Sequence, residues 1–74
     1  MKWKQGDIIR DKQTGDPYLV LFTHWNVGSI ICDMTDPNPI PLVLFERDYP
    51  EFAKDCDMRE NISGWEYEAQ PNFL

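Results

Sequence analysis

The chain has few of the features by which catalytic and metal-binding proteins are recognised. It contains one histidine and two cysteines, and the cysteines are too far apart to form a Cys-x-x-Cys metal pair. No glycine-rich phosphate loop and no nucleophile with a neighbouring base stands out. The longest apolar runs, at 18–22 and 42–45, are far shorter than the roughly 20 residues of a membrane-spanning helix. We therefore expect a soluble protein without a metal ion, a cofactor or a membrane span.

Basic residues are scarce as well. Seven Lys and Arg residues face 13 Asp and Glu residues, which leaves a formal net charge of −6. The segment 46–74 alone carries eight acidic residues against three basic ones. A negative field of this kind opposes approach to nucleic acid phosphates and to anionic lipid. The charge therefore favours a protein partner with a basic surface.

Aromatic and aliphatic residues, by contrast, are plentiful. Hydrophobic residues make up 42% of the sequence and include three Trp, three Tyr and four Phe, which is typical of a folded protein. A chain of 74 residues has room for one small core. We expect a single domain over residues 1–69 and a C-terminal tail at 70–74. Too little space remains beside such a core for a substrate pocket, so we expect no enzyme activity.

The start of the chain bears on the cellular compartment. Lys2 and Lys4 are followed by a Gly-Asp pair rather than by an apolar secretory stretch. We therefore expect a cytoplasmic protein in which Cys32 and Cys56 are reduced and packed as small hydrophobic residues.

The distribution of apolar and turn-forming residues predicts five strands, at about 7–10, 18–24, 29–34, 42–45 and 62–67. The second is apolar on both faces, so we expect it in the middle of the sheet. Prolines 37, 39 and 41 lack amide donors and predict an extended connection before the fourth strand.

A helix is predicted after the fourth strand. Asp48 and Glu51 resemble a capping box, with Pro50 tolerated in the first turn. Tyr49, Phe52, Ala53 and Cys56 recur at helical spacing and would form one apolar stripe.

The predicted fold class is therefore mainly β, with one short α-helix. We expect a small SH3-like barrel or a strongly bent antiparallel sheet of about four or five strands.

Three short motifs carry a family resemblance. The segments Gly6-Asp7-Ile8-Ile9-Arg10, Thr14-Gly15 and Tyr18-Leu19-Val20 resemble the opening of SH3-like small β-barrel proteins of bacteria and phages. The resemblance covers about the first 25 residues, and it implies a module that engages protein or nucleic acid. Bacterial ribonuclease toxins built on a related barrel also begin with a Gly-Asp strand. No arginine and serine or threonine set matching their active site is evident here, so the resemblance does not extend to toxin activity.

Three other candidates for chemistry are weighed against structural roles. His24 lacks an evident nucleophile and orienting acid, so we expect a structural or surface histidine. A zinc site would need His24 and the isolated Cys32 and Cys56, which we do not expect. A calcium-binding loop would place its ligands at Asp55, Asp57, Asn61, Ser63 and Glu66. We do not expect this site, because the cation Arg59 occupies the fifth position of the loop and Glu60 occupies the position that needs glycine.

The favoured hypothesis is a non-catalytic protein-binding module or inhibitor with an acidic face. Such a face would meet a basic, nucleic-acid-handling partner. By analogy with other compact acidic proteins, it fits a phage-type host-takeover or anti-defence factor. The charges would come from Asp48, Glu51, Asp55, Asp57 and Glu60, and the exposed members of Tyr49, Trp65 and Tyr67 would anchor the contact.

Two alternatives remain. In the first, the barrel binds nucleic acid through its basic N-terminal strand, combining stacking with phosphate contacts, although the net charge of −6 makes nucleic acid an unfavourable partner. In the second, the protein is a structural or accessory subunit and its acids only maintain solubility. A monomer or a weak homodimer fits each hypothesis. The residues of the nucleic-acid alternative are Lys2, Trp3, Lys4, Arg10 and Lys12.

Overall fold

Six strands form one sheet in the computed structural model, which describes residues 3–24, 27–47, 51–52 and 58–69. The strands are β1 (Ile8–Asp11), β2 (Pro17–His24), β3 (Gly28–Asp33), β4 (Leu42–Phe45), β5 (Met58–Asn61) and β6 (Trp65–Ala69). Their order across the sheet is β5-β4-β3-β2-β1-β6. All neighbours are antiparallel except β4 and β5, which are parallel. The predicted mainly β fold class is confirmed.

The last two strands depart from the prediction. β5 was not predicted, because all four of its residues are exposed and show no apolar alternation. The predicted strand at 62–67 begins only at Trp65, since Ile62–Gly64 forms a 3-10 turn. Asn61 caps this turn, and its side chain accepts a hydrogen bond from the Ser63 amide at 2.9 Å. The local Asn cap thus competes successfully with strand pairing at this point.

The predicted α-helix falls mostly outside the described residues, which omit 48–50 and 53–57, and so does the predicted tail at 70–74. Glu51 and Phe52 lie in a turn, and Phe52 is buried as expected for the apolar stripe. Within the described ranges, Ile62–Gly64 is the only helical element. No helix in those ranges has the length and apolarity to cross a membrane.

The sheet curls so that its concave face encloses the core. Because three residues join the edge strands β5 and β6 directly, the two edges must turn towards each other. Apolar side chains of β4 alternate between the faces: Leu42 and Leu44 belong to the main cluster, and Val43 packs with Val27 and Phe52 in a second one. The main cluster consists of Trp3, Ile9, Val20, Ile31, Leu42, Leu44 and Trp65.

A β-bulge changes the central strand. β2 lies between β1 and β3, as predicted, but the register shifts between Val20 and Phe22. Leu21 is the extra residue, and Leu21 and Phe22 remain 39% and 50% exposed. The bulge breaks the two-residue alternation in the second half of β2, so apolar side chains there stay exposed although the strand lies inside the sheet as predicted.

The Gly-Asp pair at the start of β1 has a structural role. Gly6 adopts a positive φ of 92°, and its amide donates to the Val20 carbonyl at 2.8 Å. The carboxylate of Asp7 is buried and accepts a hydrogen bond from the Lys4 amide at 2.9 Å. These bonds fold the chain back over the core, where Trp3 is buried. The motif that carries the SH3-like resemblance is thus explained by turn geometry, and the resemblance itself stays a prediction.

Candidate functional site

The predicted acidic face is only partly within the described residues. Glu51 and Glu60 are exposed, as a charged binding surface requires, and Tyr67 is 51% exposed. The remaining acids and one aromatic anchor lie outside the described ranges: Asp48, Tyr49, Asp55 and Asp57.

Trp65 is a core residue and not an exposed anchor. Its side chain is only 3% exposed, and its ring meets that of Tyr18 edge-on at a centroid distance of 4.6 Å. Its indole Nε1 donates a hydrogen bond to Oε2 of Glu60 at 3.2 Å. A buried indole N–H needs such an acceptor. Glu60 therefore has a structural role in addition to its charge.

A small groove opens at one end of the curled sheet, where β1 and β3 end and where β2, β4 and β5 begin. Its volume is about 180 Å³. Leu42 is buried, whereas Ile40 and Met58 are 65% and 47% exposed. The groove is thus an apolar depression with solvent-facing walls and two carboxylates. It is lined by Tyr18, Asp33, Asp36, Ile40, Leu42 and Met58.

Further carboxylates converge on this end of the sheet. Burial raises the pKa of Tyr18 above its ordinary value of 10.0, and the charges of Asp33, Asp11, Asp16 and Glu60 raise it further. Each of these charges disfavours the phenolate because like charges repel. The phenol of Tyr18 therefore lies where the negative charges of three parts of the chain overlap: the end of β1 with the loop after it, the end of β3, and β5.

The two carboxylates that line the groove are held by their own loop. Oδ1 of Asp33 accepts hydrogen bonds from the Thr35 hydroxyl at 2.6 Å and from the Thr35 amide at 2.8 Å. These bonds, with a smaller contribution from the Tyr18 hydroxyl, lower the pKa of Asp33 below its ordinary value of 3.8. Oδ1 of Asp36 accepts from the Asn38 amide at 2.9 Å. Both side chains are thus oriented before any ligand arrives.

The lowered pKa of Asp33 predicts a pH effect on stability. In the folded state its carboxylate is favoured, so its contribution to stability is present above pH 3.8 and is lost as the pH falls through the lower folded-state pKa. Asp33→Asn retains an acceptor oxygen but cannot titrate. Carboxylic acids titrate at about pH 2–5. Over this range we expect the thermal unfolding midpoint to depend less on pH for this variant than for the wild type. Equal slopes of midpoint against pH for the two proteins would contradict the prediction.

The basic N-terminal strand is largely engaged within the molecule. Trp3 is buried in the core, so it is not available to stack on a base. Arg10 forms an ion pair with Glu68 and donates to the Gly15 carbonyl. The Lys12 ammonium donates to the Ser63 carbonyl at 3.2 Å. Lys4 is exposed, and Lys2 lies outside the described ranges. The nucleic-acid alternative thereby loses its stacking residue.

His24 and Cys32, which were considered for metal and thiol chemistry, make contacts typical of structural residues. The exposed His24 packs edge-on against Phe52 at a centroid distance of 5.4 Å. Cys32 is a free, half-buried cysteine, and burial followed by the charge of Asp33 raises the pKa of its thiol, which disfavours the reactive thiolate. Cys56, Asp55 and Asp57 lie outside the described part. Within that part, no group of three or more His, Cys, Asp or Glu side chains could hold a metal ion.

The groove was not identified from sequence, although one signal for it exists. The apolar runs that predict β2 and β3 place the start of one strand near the end of the other, which brings Tyr18 to the neighbourhood of Asp33. The exact pairing of Tyr18 with Asp33 depends on the bulge at Leu21, because an unbroken register from the His24–Gly28 pair would place Tyr18 opposite Met34. Ile40 lies in the proline-rich connection and Met58 begins the unpredicted β5, so neither position could be deduced from a strand pattern.

Comparisons with known proteins give no relative for this chain: no protein-family model, no curated protein and no solved structure matches it. A function must therefore be argued from the geometry of the chain itself. The apolar groove and the carboxylates that surround it are the features with the clearest chemical preference.

Proposed function

We propose that the protein is a non-catalytic protein-binding module that binds a basic segment of a partner protein. The binding surface is the groove together with the carboxylates around it, and we call it the acidic groove end. Its carboxylates are Asp11, Asp16, Asp33, Asp36 and Glu60. The observation that carries the proposal is the convergence of carboxylates around Tyr18, beside an apolar groove. The proposed surface shares Glu60 with the surface predicted from sequence. Its other carboxylates lie near the ends of β1 and β3 and were not part of that prediction.

Charge supports a basic partner. The whole chain carries −6, and the carboxylates of the groove end add a local field. Such a field accelerates encounter with a cationic surface and repels anionic ones. Exposed charges are screened beyond about 8 Å at physiological ionic strength, so the interaction should weaken as salt is added.

The size and lining of the groove support a protein partner. Pockets for small molecules usually measure about 300–1,000 Å³, whereas this groove holds about 180 Å³. Exposed Ile40 and Met58 at its walls are the kind of apolar surface that protein contacts bury. A docking surface suits these dimensions better than a substrate or cofactor site does.

The same charge favours a more specific form of this function. An acidic module that covers the nucleic-acid-binding surface of another protein would act as its inhibitor. Phage-type host-takeover or anti-defence factors would act in this way. The net charge of −6 supports this form, because the surface to be covered would itself be basic.

Selection from a displayed random-peptide library tests the proposal and needs no identified partner. We expect the wild type to enrich peptides rich in Lys and Arg at low salt. The variant Asp16→Asn/Asp33→Asn/Asp36→Asn removes three charges near the groove and retains oxygen acceptors, so it should lose this enrichment.

A matched control removes the same number of charges elsewhere. Glu46, Glu51 and Glu66 are exposed and do not line the groove. The variant Glu46→Gln/Glu51→Gln/Glu66→Gln should therefore enrich basic peptides as the wild type does. Enrichment without basic residues, or equal loss in both variants, would contradict a binding surface at the groove end.

A further inference from the structure

The groove end has a more specific preference than a general attraction for cations. We propose that the groove receives the side chain of one arginine from the partner segment, with its aliphatic stem along Ile40 and Met58 and its guanidinium between Asp33 and Asp36. This inference rests on the proposed function and identifies the residue that the basic segment presents.

The walls of the groove match an aliphatic stem. Ile40 and Met58 are apolar side chains left largely in water, and Leu42 is buried beside them. Long cationic side chains lay their methylene groups along apolar surface and keep the charged group at its border. The methionine can adjust to the occupant because its unbranched side chain has three rotatable bonds.

The carboxylates match a guanidinium in orientation. The loop bonds to Thr35 and Asn38 all end on Oδ1 of the respective carboxylates. The Tyr18 hydroxyl also bonds to the Asp33 carboxylate. Because an ionised carboxylate can accept about four hydrogen bonds, Asp33 and Asp36 both keep acceptor sites for a cationic donor. Because the loop already orders both side chains, binding costs less conformational entropy. A planar guanidinium has five donors and can bridge two acceptors, whereas an ammonium acts as a point charge.

The aromatic residue in the groove favours the same occupant. Tyr18 is held in place by its edge-on contact with the buried Trp65. A guanidinium near a tyrosine face gains cation–π attraction, and arginine makes this contact more often than lysine. The volume of about 180 Å³ also suits one long side chain rather than a larger ligand.

Titration with a minimal probe, followed by amide NMR shifts of the full chain, tests the assignment. The probe is N-acetylarginine methylamide, compared with the lysine analogue and with the neutral citrulline analogue. We expect the arginine probe to shift the amides around Asp33, Ile40 and Met58. The lysine analogue should bind more weakly, and the citrulline analogue about tenfold more weakly or not at all, since it lacks the charge.

Two exposed apolar residues provide matched protein variants. Ile40→Ala shortens the groove wall and should weaken binding of the arginine probe about fourfold, which corresponds to losing contact equivalent to about one buried methylene group. Phe22→Ala truncates a 50% exposed side chain that does not line the groove and should leave the affinity unchanged. An unchanged amide spectrum outside the altered site shows that each variant is folded.

The outcomes separate this inference from the proposed function. If the library selection yields basic peptides that depend on the groove carboxylates, but the arginine probe shifts other amides or binds no better than citrulline, the arginine assignment is wrong and the proposed function stands. If basic peptides fail to bind at all, both are wrong. Localised, charge-dependent shifts together with the effect of Ile40→Ala would support the arginine assignment.

Discussion

Replacing Trp65 with alanine is expected to destabilise the protein by about 3–5 kcal/mol, the usual cost of removing a large buried aromatic side chain. The residue is 3% exposed and packs in the main core with Ile9 and Leu44. The substitution also removes the edge-on contact with Tyr18 and the hydrogen bond to Glu60. A chain of 74 residues typically has a total stability of about 4–11 kcal/mol. The substitution should therefore remove a large part of the total stability.

Urea unfolding followed by circular dichroism measures this loss. Trp65→Phe retains an aromatic ring next to Tyr18 but removes the indole N–H, so it should cost less than the alanine variant. Tyr67→Ala is the matched surface control, because Tyr67 lies in the same strand and is 51% exposed. Its expected effect is within about 0.5 kcal/mol. Similar losses at the two positions would show that Trp65 is not part of the core.

Replacing Gly28 with alanine should be the second severe change. Gly28 begins β3, where it pairs with His24 on one side and with Phe45 on the other. A Cβ at this position would overlap the Leu44 carbonyl oxygen and lie 2.9 Å from the Cα of Phe45. Both obstacles are backbone atoms, so a side-chain rotation cannot relieve them. We expect a loss of about 3 kcal/mol and a local separation of β3 from β4.

Thermal unfolding together with amide hydrogen exchange in β3 and β4 checks this expectation. A loss of about 3 kcal/mol lowers the midpoint of a small domain by roughly 12 °C or more. Gly64→Ala is the control, because a Cβ at Gly64 would meet nothing within 4 Å. It should change the midpoint little or raise it slightly. Unchanged exchange in β3 and β4 of the Gly28 variant would contradict the predicted separation.

The part of the fold that follows from local patterns could be predicted from the sequence. β4 has the bounds expected from its apolar run, and the first three strands begin and end within about one residue of the expected positions, as is usual for boundaries of periodic segments. The Pro-rich connection between β3 and β4 was predicted because proline lacks an amide donor. These features depend on neighbouring residues alone.

The parts that depend on distant residues were not predicted. β5 is exposed and polar, and it becomes a strand only because β4 offers it a parallel partner. The bulge at Leu21 depends on the register with β3. The groove requires both, since Met58 comes from β5 and Asp33 from the end of β3. The charge count predicted an acidic binding surface in the last third of the sequence. It could not identify the carboxylates at the groove, because only the register of the sheet brings them together.

The pairing of β6 with β1 has a consequence for how the molecule assembles. Asp11 and Trp65 are partners across the sheet although most of the sequence lies between them. The other antiparallel pairs join strands that are consecutive in the chain. The pairing of β6 with β1 must instead bring together remote segments, which slows folding. Until the final strand docks, Ile9 and its neighbours stay uncovered. We expect the seam between first and last strand to be the step that commits the chain to its native state.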